Sequence, residues 1–502
     1  MKRLGAAVVT LALGLCSGIV SAQPVQNIAL RNSFDPLGAG ARGLGMGGAF
    51  IAVADDGTAA AFNPAGLAQL RRTEIALVGF TETLTSRVAL PGSEVVTTDI
   101  THRRPDFFGI AVPFETRGHN VTIQLAYQRA VDLFGEGSAA VIETSPLEDV
   151  HPGLPPLEAE FIERVATEQA GAFQTISLST GYELTSRLSL GASANYWLGN
   201  WTVAGSNEVT LLGVLPTAAG GNLRGKVFDI DFNQKQSMRA FSLNLGFLLK
   251  YARVSVGGVA RLPFSGNYEL SERDVTDFLI PGAFGPTTRT VEDFAIKSQL
   301  RWPRRLGIGA ALRPFKGLTV AADYSRSQWS RTVITDVPGG ALLRDPDPVG
   351  GDGASIPTFT SINFFDLEPA SQTETRDTSD WRAGAEYLLV TKKLVIPLRA
   401  GVFRDRSPIT DLGSDQGRPI RGFTLGSGLN LKHVVFDVTF ERRENQGEVG
   451  LRLNDQGAPT GDITRESVAE NRVVASLIYR AGADDPIKRA LRFLFVGRRD
   501  GE

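Results

Sequence analysis

Leu188-Ser189-Leu190-Gly191-Ala192-Ser193-Ala194-Asn195-Tyr196-Trp197-Leu198-Gly199 carries a strict period of two. Successive side chains of a strand point to opposite faces. Leu188, Leu190, Ala192, Ala194, Tyr196 and Leu198 therefore share one side, and Ser189, Gly191, Ser193, Asn195 and Gly199 share the other. The pattern recurs along the chain. Val121, Ile123, Leu125 and Tyr127 oppose Thr122, Gln124, Ala126 and Gln128, and Phe241, Leu243, Leu245, Phe247 and Leu249 oppose Ser242, Asn244 and Gly246. Leu306, Ile308, Ala310 and Leu312 oppose Gly307, Gly309, Ala311 and Arg313, and Leu318, Val320, Ala322 and Tyr324 oppose Thr319, Ala321, Asp323 and Ser325. One apolar and one polar face also suits the half-buried strands of a soluble sandwich. Two features separate the readings. The polar face is small and wet, as a crowded or water-bearing lumen requires. The connections also alternate between short and long, as they do in outer-membrane barrels.

The short turns fall at Thr116–Gly118, Leu184–Ser186, Tyr251–Ala252, Phe315–Gly317, Val390–Lys393 and Leu431–His433. Long connections fall near 85–105, 131–171, 204–236, 265–293, 331–379, 406–418 and 444–470. Between them the pattern predicts strands at 73–84, 106–115, 119–130, 172–184, 187–203, 237–250, 253–264, 294–313, 318–330, 380–389, 394–405, 419–431, 434–443 and 471–480, fourteen in all. Trp302-Pro303 interrupts the eighth. Splitting it there would put a tight turn outside and a long loop inside, so one long strand bent at Pro303 is expected. The predicted fold is an all-β membrane protein, a fourteen-stranded antiparallel transmembrane barrel over 73–480.

Composition agrees. The 502 residues are 42% apolar and 21% charged, and Lys+Arg 52 against Asp+Glu 54 leaves a net charge of −2, so no basic field points to a nucleic-acid partner. The single cysteine, Cys16, lies near the N-terminus, which excludes disulfides and cysteine metal sites from the rest. Lys2 and Arg3, the apolar stretch Leu4 to Val20 and the small residues Val20-Ser21-Ala22 read as a signal peptide over 1–22. Leu15 before Cys16 is bulky for a lipoprotein cleavage site. Beyond the leader no apolar run reaches the roughly 18 residues a membrane helix needs.

Residues 23–72 break the alternation. Gly38-Ala39-Gly40-Ala41-Arg42-Gly43-Leu44-Gly45-Met46-Gly47-Gly48-Ala49-Phe50 is small and helix-like, and Asn63-Pro64-Ala65-Gly66-Leu67 follows Ala54-Asp55-Asp56. Compact Gly/Ala helices before the first strand suit an N-terminal hatch plugging the lumen; the alternative is a loose periplasmic leader. These motifs resemble the hatch of the FadL/TodX family, outer-membrane transporters of long-chain fatty acids and other hydrophobic molecules. Arg261-Leu262-Pro263-Phe264, Trp381-Arg382-Ala383-Gly384-Ala385-Glu386-Tyr387 and Pro397-Leu398-Arg399-Ala400-Gly401 with Ser407-Pro408 resemble it too. The hatch motif is shared across a superfamily that includes the PorV-type shuttle proteins of type IX secretion. The resemblance also implies lateral release through a wall gap at the third strand. Residues 119–130 hold no proline or glycine to make a kink there.

Other motifs carry less. Gly43-Leu44-Gly45-Met46-Gly47-Gly48 has the form of a dinucleotide fingerprint but follows a turn-like Asp35-Pro36-Leu37-Gly38 instead of a strand. Gly220 to Lys226 falls short of a phosphate loop because Val227 stands where a Ser or Thr must bind magnesium. His102, His119, His151 and His433 are scattered, without metal spacing or a companion nucleophile. Asp345, Asp347 and Asp352 read as a solvated acidic loop rather than a cation site. No catalytic residue, cofactor or metal is expected.

The candidate site residues are of three kinds. Asp55, Asp56, Asn63, Pro64 and Ala65 define the hatch. Leu211, Leu212, Val214 and Leu215, with Phe278, Leu279 and Ile280, are apolar clusters in two long outer loops, and exposed apolar clusters mark binding surfaces. In the resembled family these loops form the first groove for substrate; alternatively they pack together to close the barrel mouth. Arg382, Glu386 and Arg399 fall on the lumen face, where charges need partners. They either pair with each other or with Asp55 and Asp56, or Arg399 meets a substrate carboxylate. The expected function is uptake of fatty acids or other hydrophobic small molecules by a monomer in the bacterial outer membrane, among bilayer lipid and lipopolysaccharide. A PorV-like secretion shuttle is the alternative. The tail, 481–502, carries Asp485 and Pro486 as a helix start and Ile487, Leu491 and Leu494 as an apolar stripe, which predicts a periplasmic amphipathic helix.

Overall fold

The computed structural model describes residues 38–89, 95–147, 157–216, 222–278, 288–335, 361–364, 375–392, 394–410, 417–453 and 459–482. The signal sequence, the acidic loop 345–352, Leu279, Ile280 and the tail beyond Gly482 lie outside the described residues.

The alternating stretches pair into one closed antiparallel barrel. Its strands are β1 (Glu74–Ala89), β2 (Val96–Thr116), β3 (His119–Asp132, resumed as Gly135–Leu147), β4 (Leu157–Glu183), β5 (Leu188–Pro216) and β6 (Asn222–Tyr251). Next come β7 (Val254–Arg261 and Phe264–Phe278), β8 (Thr288–Trp302 and Arg305–Leu312), β9 (Leu318–Ser327 and Val333–Thr335) and β10 (Ser361–Asn363 and Thr378–Val390). β11 (Val395–Thr410), β12 (Gly417–Asn430), β13 (Val434–Leu453) and β14 (Pro459–Arg480) complete the fourteen. Each interrupted pair of segments faces the same neighbours. Both halves of β8 run against β7, so Pro303 bends one strand and does not start another. Glu74↔Arg480 through Ala89↔Arg465 close the ring between β1 and β14.

The apolar faces point outward. Leu178, Phe241, Val402 and Leu425 are all more than half exposed, alongside Leu125, Leu190, Tyr196 and Ile308. A band of such residues around the outside of a barrel is stable only against lipid.

Above this band the strands run on. A tilted spanning strand needs about 9–11 residues, whereas β4, β5 and β6 have 27, 29 and 30. The stretches expected as long loops at 85–105, 131–171, 204–236, 265–293 and 444–470 are therefore largely strand where described, paired as a tall sheet beyond the bilayer band. The β2–β3 ladder is much shorter than its strands. It runs from Thr116↔His119 to Phe107↔Gln128 and ends there. β2 continues to Val96 along β1, and β3 continues to Asp132 along β4 with a bulge between Arg129 and Val131.

Candidate functional site

Of the expected hatch, 23–72, residues 23–37 lie outside the described residues, and residues 38–72 are described and lie against the inner face of this ring. Their local structure is sparser than the composition suggested: one short helix, α1 (Ala41–Gly45), and two 3-10 turns at Ala59–Ala61 and Pro64–Gln69. Glycine at Gly47 and Gly48 takes positive φ, which ends the helix after one turn. Pro64 begins the last turn, where its missing N–H costs nothing. Asn63 fixes that turn from three directions. Its oxygen accepts from the Ala65 N–H at 3.1 Å, while its amide donates to the carbonyls of Ile51 and of Phe247 on β6, each at 3.0 Å.

The small lumen face makes this seat possible. A Cβ on Gly191 would stand 2.2 Å from the Ala65 nitrogen, and one on Gly401 would stand 2.1 Å from the Gly47 nitrogen. Such distances are far inside contact, so the hatch backbone lies directly on the wall backbone. Side chains from the wall then satisfy the hatch. Asp323 on β9 accepts from the N–H groups of Phe50 and Ile51 at 2.7 and 2.9 Å, Asn120 donates to the Ala68 and Leu70 carbonyls, and Thr439 donates to the Ala41 carbonyl.

Of the expected pairings, Arg399 meets Glu386, while the hatch acids take another partner. Arg42 of α1, and neither Arg382 nor Arg399, holds Asp55 and Asp56, and it also holds Glu386 on β10. Burial opposes its charge, yet Asp55, Glu386 and Asp56 outweigh that and hold the guanidinium well above its ordinary pKa. Arg399 is engaged by two carboxylates, Glu386 and Asp437, each at 2.7 Å, which leaves a substrate acid no clear claim on it. Arg382 pairs with Asp405 at 2.5 Å and donates to the Gly47 carbonyl. From Asp405 a chain of ion pairs runs through Arg443, Glu441, Arg472, Glu82 and Arg104 to Asp132. It thus links the hatch seat to the place where β2 and β3 part. Phe80 lies between the guanidinium groups of Arg104 and Arg472, and Phe403 between those of Arg382 and Arg443.

The opposite half of the lumen is aromatic. Phe173, Trp197, Trp201, Tyr268, Trp302, Trp329 and Phe364 form one buried cluster with Ile296 and Leu300. Phe173 meets Trp201 and Trp302 edge-on at 4.9 and 5.4 Å. Beneath it a narrow cavity of about 70 Å³ reaches the hatch at Ala60 and Ala61 and extends to Phe107, Gln128 and Ala130 beside the end of the β2–β3 ladder.

Of the expected outer-loop residues, Leu211 lies in the β5 extension with its side chain buried, not in a loop. Val209 pairs with Phe228 and Phe228 pairs with Phe278, so the two apolar segments come together across β6. The side chains of Leu212, Val214, Leu215 and Phe278 lie outside the described residues.

No family model matches the chain, and no curated protein does. Solved structures do. A Pseudomonas aeruginosa FadL homologue aligns with a TM-score of 0.55 at 13% identity, covering 88% of this chain and 98% of its own. The P. putida toluene transporter TodX aligns at 0.52 and 14%, covering 89% and 99%. The chain has the FadL/TodX fold.

Within the FadL/TodX fold, the sequence had marked the hatch and its Asn63-Pro64-Ala65 turn. It had not singled out Arg42, Asp323, Asn120 or Thr439, which fasten the hatch, nor the aromatic cluster. Trp197 and Trp201 were detectable, because both occupy the otherwise small, polar face of β5.

Proposed function

We propose that the chain is a channel of the bacterial outer membrane that takes up a hydrophobic small molecule. The observation that carries this reading is the division of the lumen into a continuous aromatic half over the hatch and an ion-paired half that ties the hatch down. A polar solute gains nothing from a wall of Trp and Phe, whereas an apolar one is drawn from water by it. Toluene, which TodX transports, is such a solute, and long-chain fatty acids are the other candidate class.

The route begins at Val209, Leu211 and Phe228 on the inner face of the tall sheet. It descends past Val203, Trp201 and Trp197 to the cavity on Ala60 and Ala61. The cavity borders the end of the β2–β3 ladder, and this supports lateral exit there once the Arg104–Asp132 pair yields. This reading asks no chemistry of the protein: the solute is moved and not transformed. Residues 1–22 serve as the signal that sends the chain to the envelope, and the channel works as a monomer.

The test is uptake by cells whose own hydrophobe channels have been removed, with labelled toluene and a labelled long-chain fatty acid. Expression of the full chain is expected to accelerate entry of at least one. Unchanged entry of both would overturn the reading and favour the shuttle alternative, which needs no solute in the lumen.

A further inference from the structure

The cavity above the hatch is lined by two chemistries that meet along one edge. One wall is aromatic: Trp197 stacks on Phe264 with centroids 5.3 Å apart and planes 25° apart, and Trp302 lies 6.3 Å from Phe264 at 20°. The other wall is a run of neutral polar side chains already tied to one another. Ser177 donates to Asn195 at 2.7 Å, Asn195 and the Trp197 indole N–H both donate to Ser242, and Ser193 donates to Ser179. Such a wall suits no pure hydrocarbon, since apolar surface placed on it buries polar groups without replacing their contacts with water.

One group in this wall is unsatisfied. Gln124 lines the cavity and is fully buried, and its Oε1 has no hydrogen-bond partner. Its orientation is fixed by chemistry. Its Nε2 donates to the Gly57 carbonyl at 2.6 Å, and a carbonyl only accepts, so the amide cannot be turned round. Oε1 is therefore an acceptor awaiting a donor.

Arg304 at the cavity's edge is exposed to solvent, and the two part-buried cations that line it are occupied. Arg261 donates to the Ala61 carbonyl at 3.1 Å, and Arg305 faces Asp380 at 3.5 Å. A carboxylate would have to displace these partners, whereas a neutral hydroxyl needs only the free acceptor.

We propose that the channel's solute is a neutral aromatic compound bearing a hydroxyl group, its ring against Trp197, Phe264 and Trp302 and its O–H donated to Gln124. The assignment rests on the transport reading and narrows it. The cavity of about 70 Å³ is smaller than the roughly 150 Å³ that an engineered benzene site offers. Binding therefore requires the Ala59–Ala61 turn that forms the floor to give way, so the ring enters by pressing on the hatch.

Isothermal titration calorimetry on the full-length protein in detergent tests this with p-cresol, toluene and laurate. Cresol differs from toluene by one hydroxyl. It is expected to bind at least tenfold more tightly than either competitor, and Gln124→Leu is expected to erase that margin. The comparison of the three probes on the unmodified protein stands without the variant. Toluene or laurate binding as tightly as cresol would overturn the assignment, and so would a full margin in Gln124→Leu. Either result with uptake intact would leave the transport reading standing. Binding of none of the three, with no acceleration of uptake, would remove both.

Discussion

Arg42 of the hatch grips Glu386 of β10 with two nitrogens, Nε to one carboxylate oxygen at 2.9 Å and Nη2 to the other at 3.0 Å. The fork geometry is specific to arginine. With Asp55 and Asp56 on its remaining nitrogen, the side chain joins two stretches of the hatch to the wall. Arg42→Ala removes the cation that these three acids share, leaving Arg399 on Glu386 alone. The expected loss is on the order of 3 kcal/mol of hatch attachment. Planar-bilayer recordings should show more frequent and larger conductance steps than the unmodified protein, with Arg42→Lys in between.

Gly191 gives a steric test of the same seat. A methyl group there would meet the Ala65 nitrogen at 2.2 Å and the Pro64 carbonyl carbon at 2.3 Å. Both are backbone atoms that cannot swing aside. Gly191→Ala should weaken the seat by about 1–3 kcal/mol through overpacking and expose residues 38–72 to limited proteolysis. Gly79→Ala meets nothing closer than 3.4 Å and should leave the proteolysis pattern unchanged.

Asn63→Ala removes three hydrogen bonds at once and leaves the Ile51 and Phe247 carbonyls without the donor they share. Buried orphan groups cost about 1–3 kcal/mol each. The thermal unfolding midpoint should fall, and conductance should rise in parallel if the turn is what holds the hatch down.

Deleting residues 40–66 removes the hatch contacts and leaves the ring of strands whole. Bilayer conductance should then greatly exceed that of the intact protein. Equal conductance would mean that the segment does not plug the lumen.

The strand order was legible because lipid demands apolar side chains on one face and the hatch demands small ones on the other, so Leu188 to Gly199 could alternate in only one way. Pro303 was legible for a related reason, since a split there would have inverted every later turn. The outer sheet was not. Beyond the bilayer both faces of β6 can be polar without penalty: Gln234, Lys235, Gln236 and Ser237 carry no contrast that distinguishes strand from loop, and they hide the alternation of Phe228, Ile230 and Phe232 with Asp229, Asp231 and Asn233 just before them. Arg42 was visible as part of a motif but not as a clamp, because its partner Glu386 lies 344 positions away. The aromatic cluster had the same obscurity: Phe173, Trp302, Trp329 and Phe364 come from four separate strands or their junctions, and only ring closure brings them together.

The most direct test of a hydrophobic path through the lumen is photo-crosslinking with a diazirine-bearing aromatic probe, mapped by mass spectrometry on the full-length protein in liposomes. Lumen passage predicts adducts on peptides carrying Trp197, Trp302 and Trp329, diminished by excess unlabelled solute. Adducts confined to outward residues such as Leu178, Phe241 and Leu425, and indifferent to competitor, would place the probe in the lipid and contradict the account.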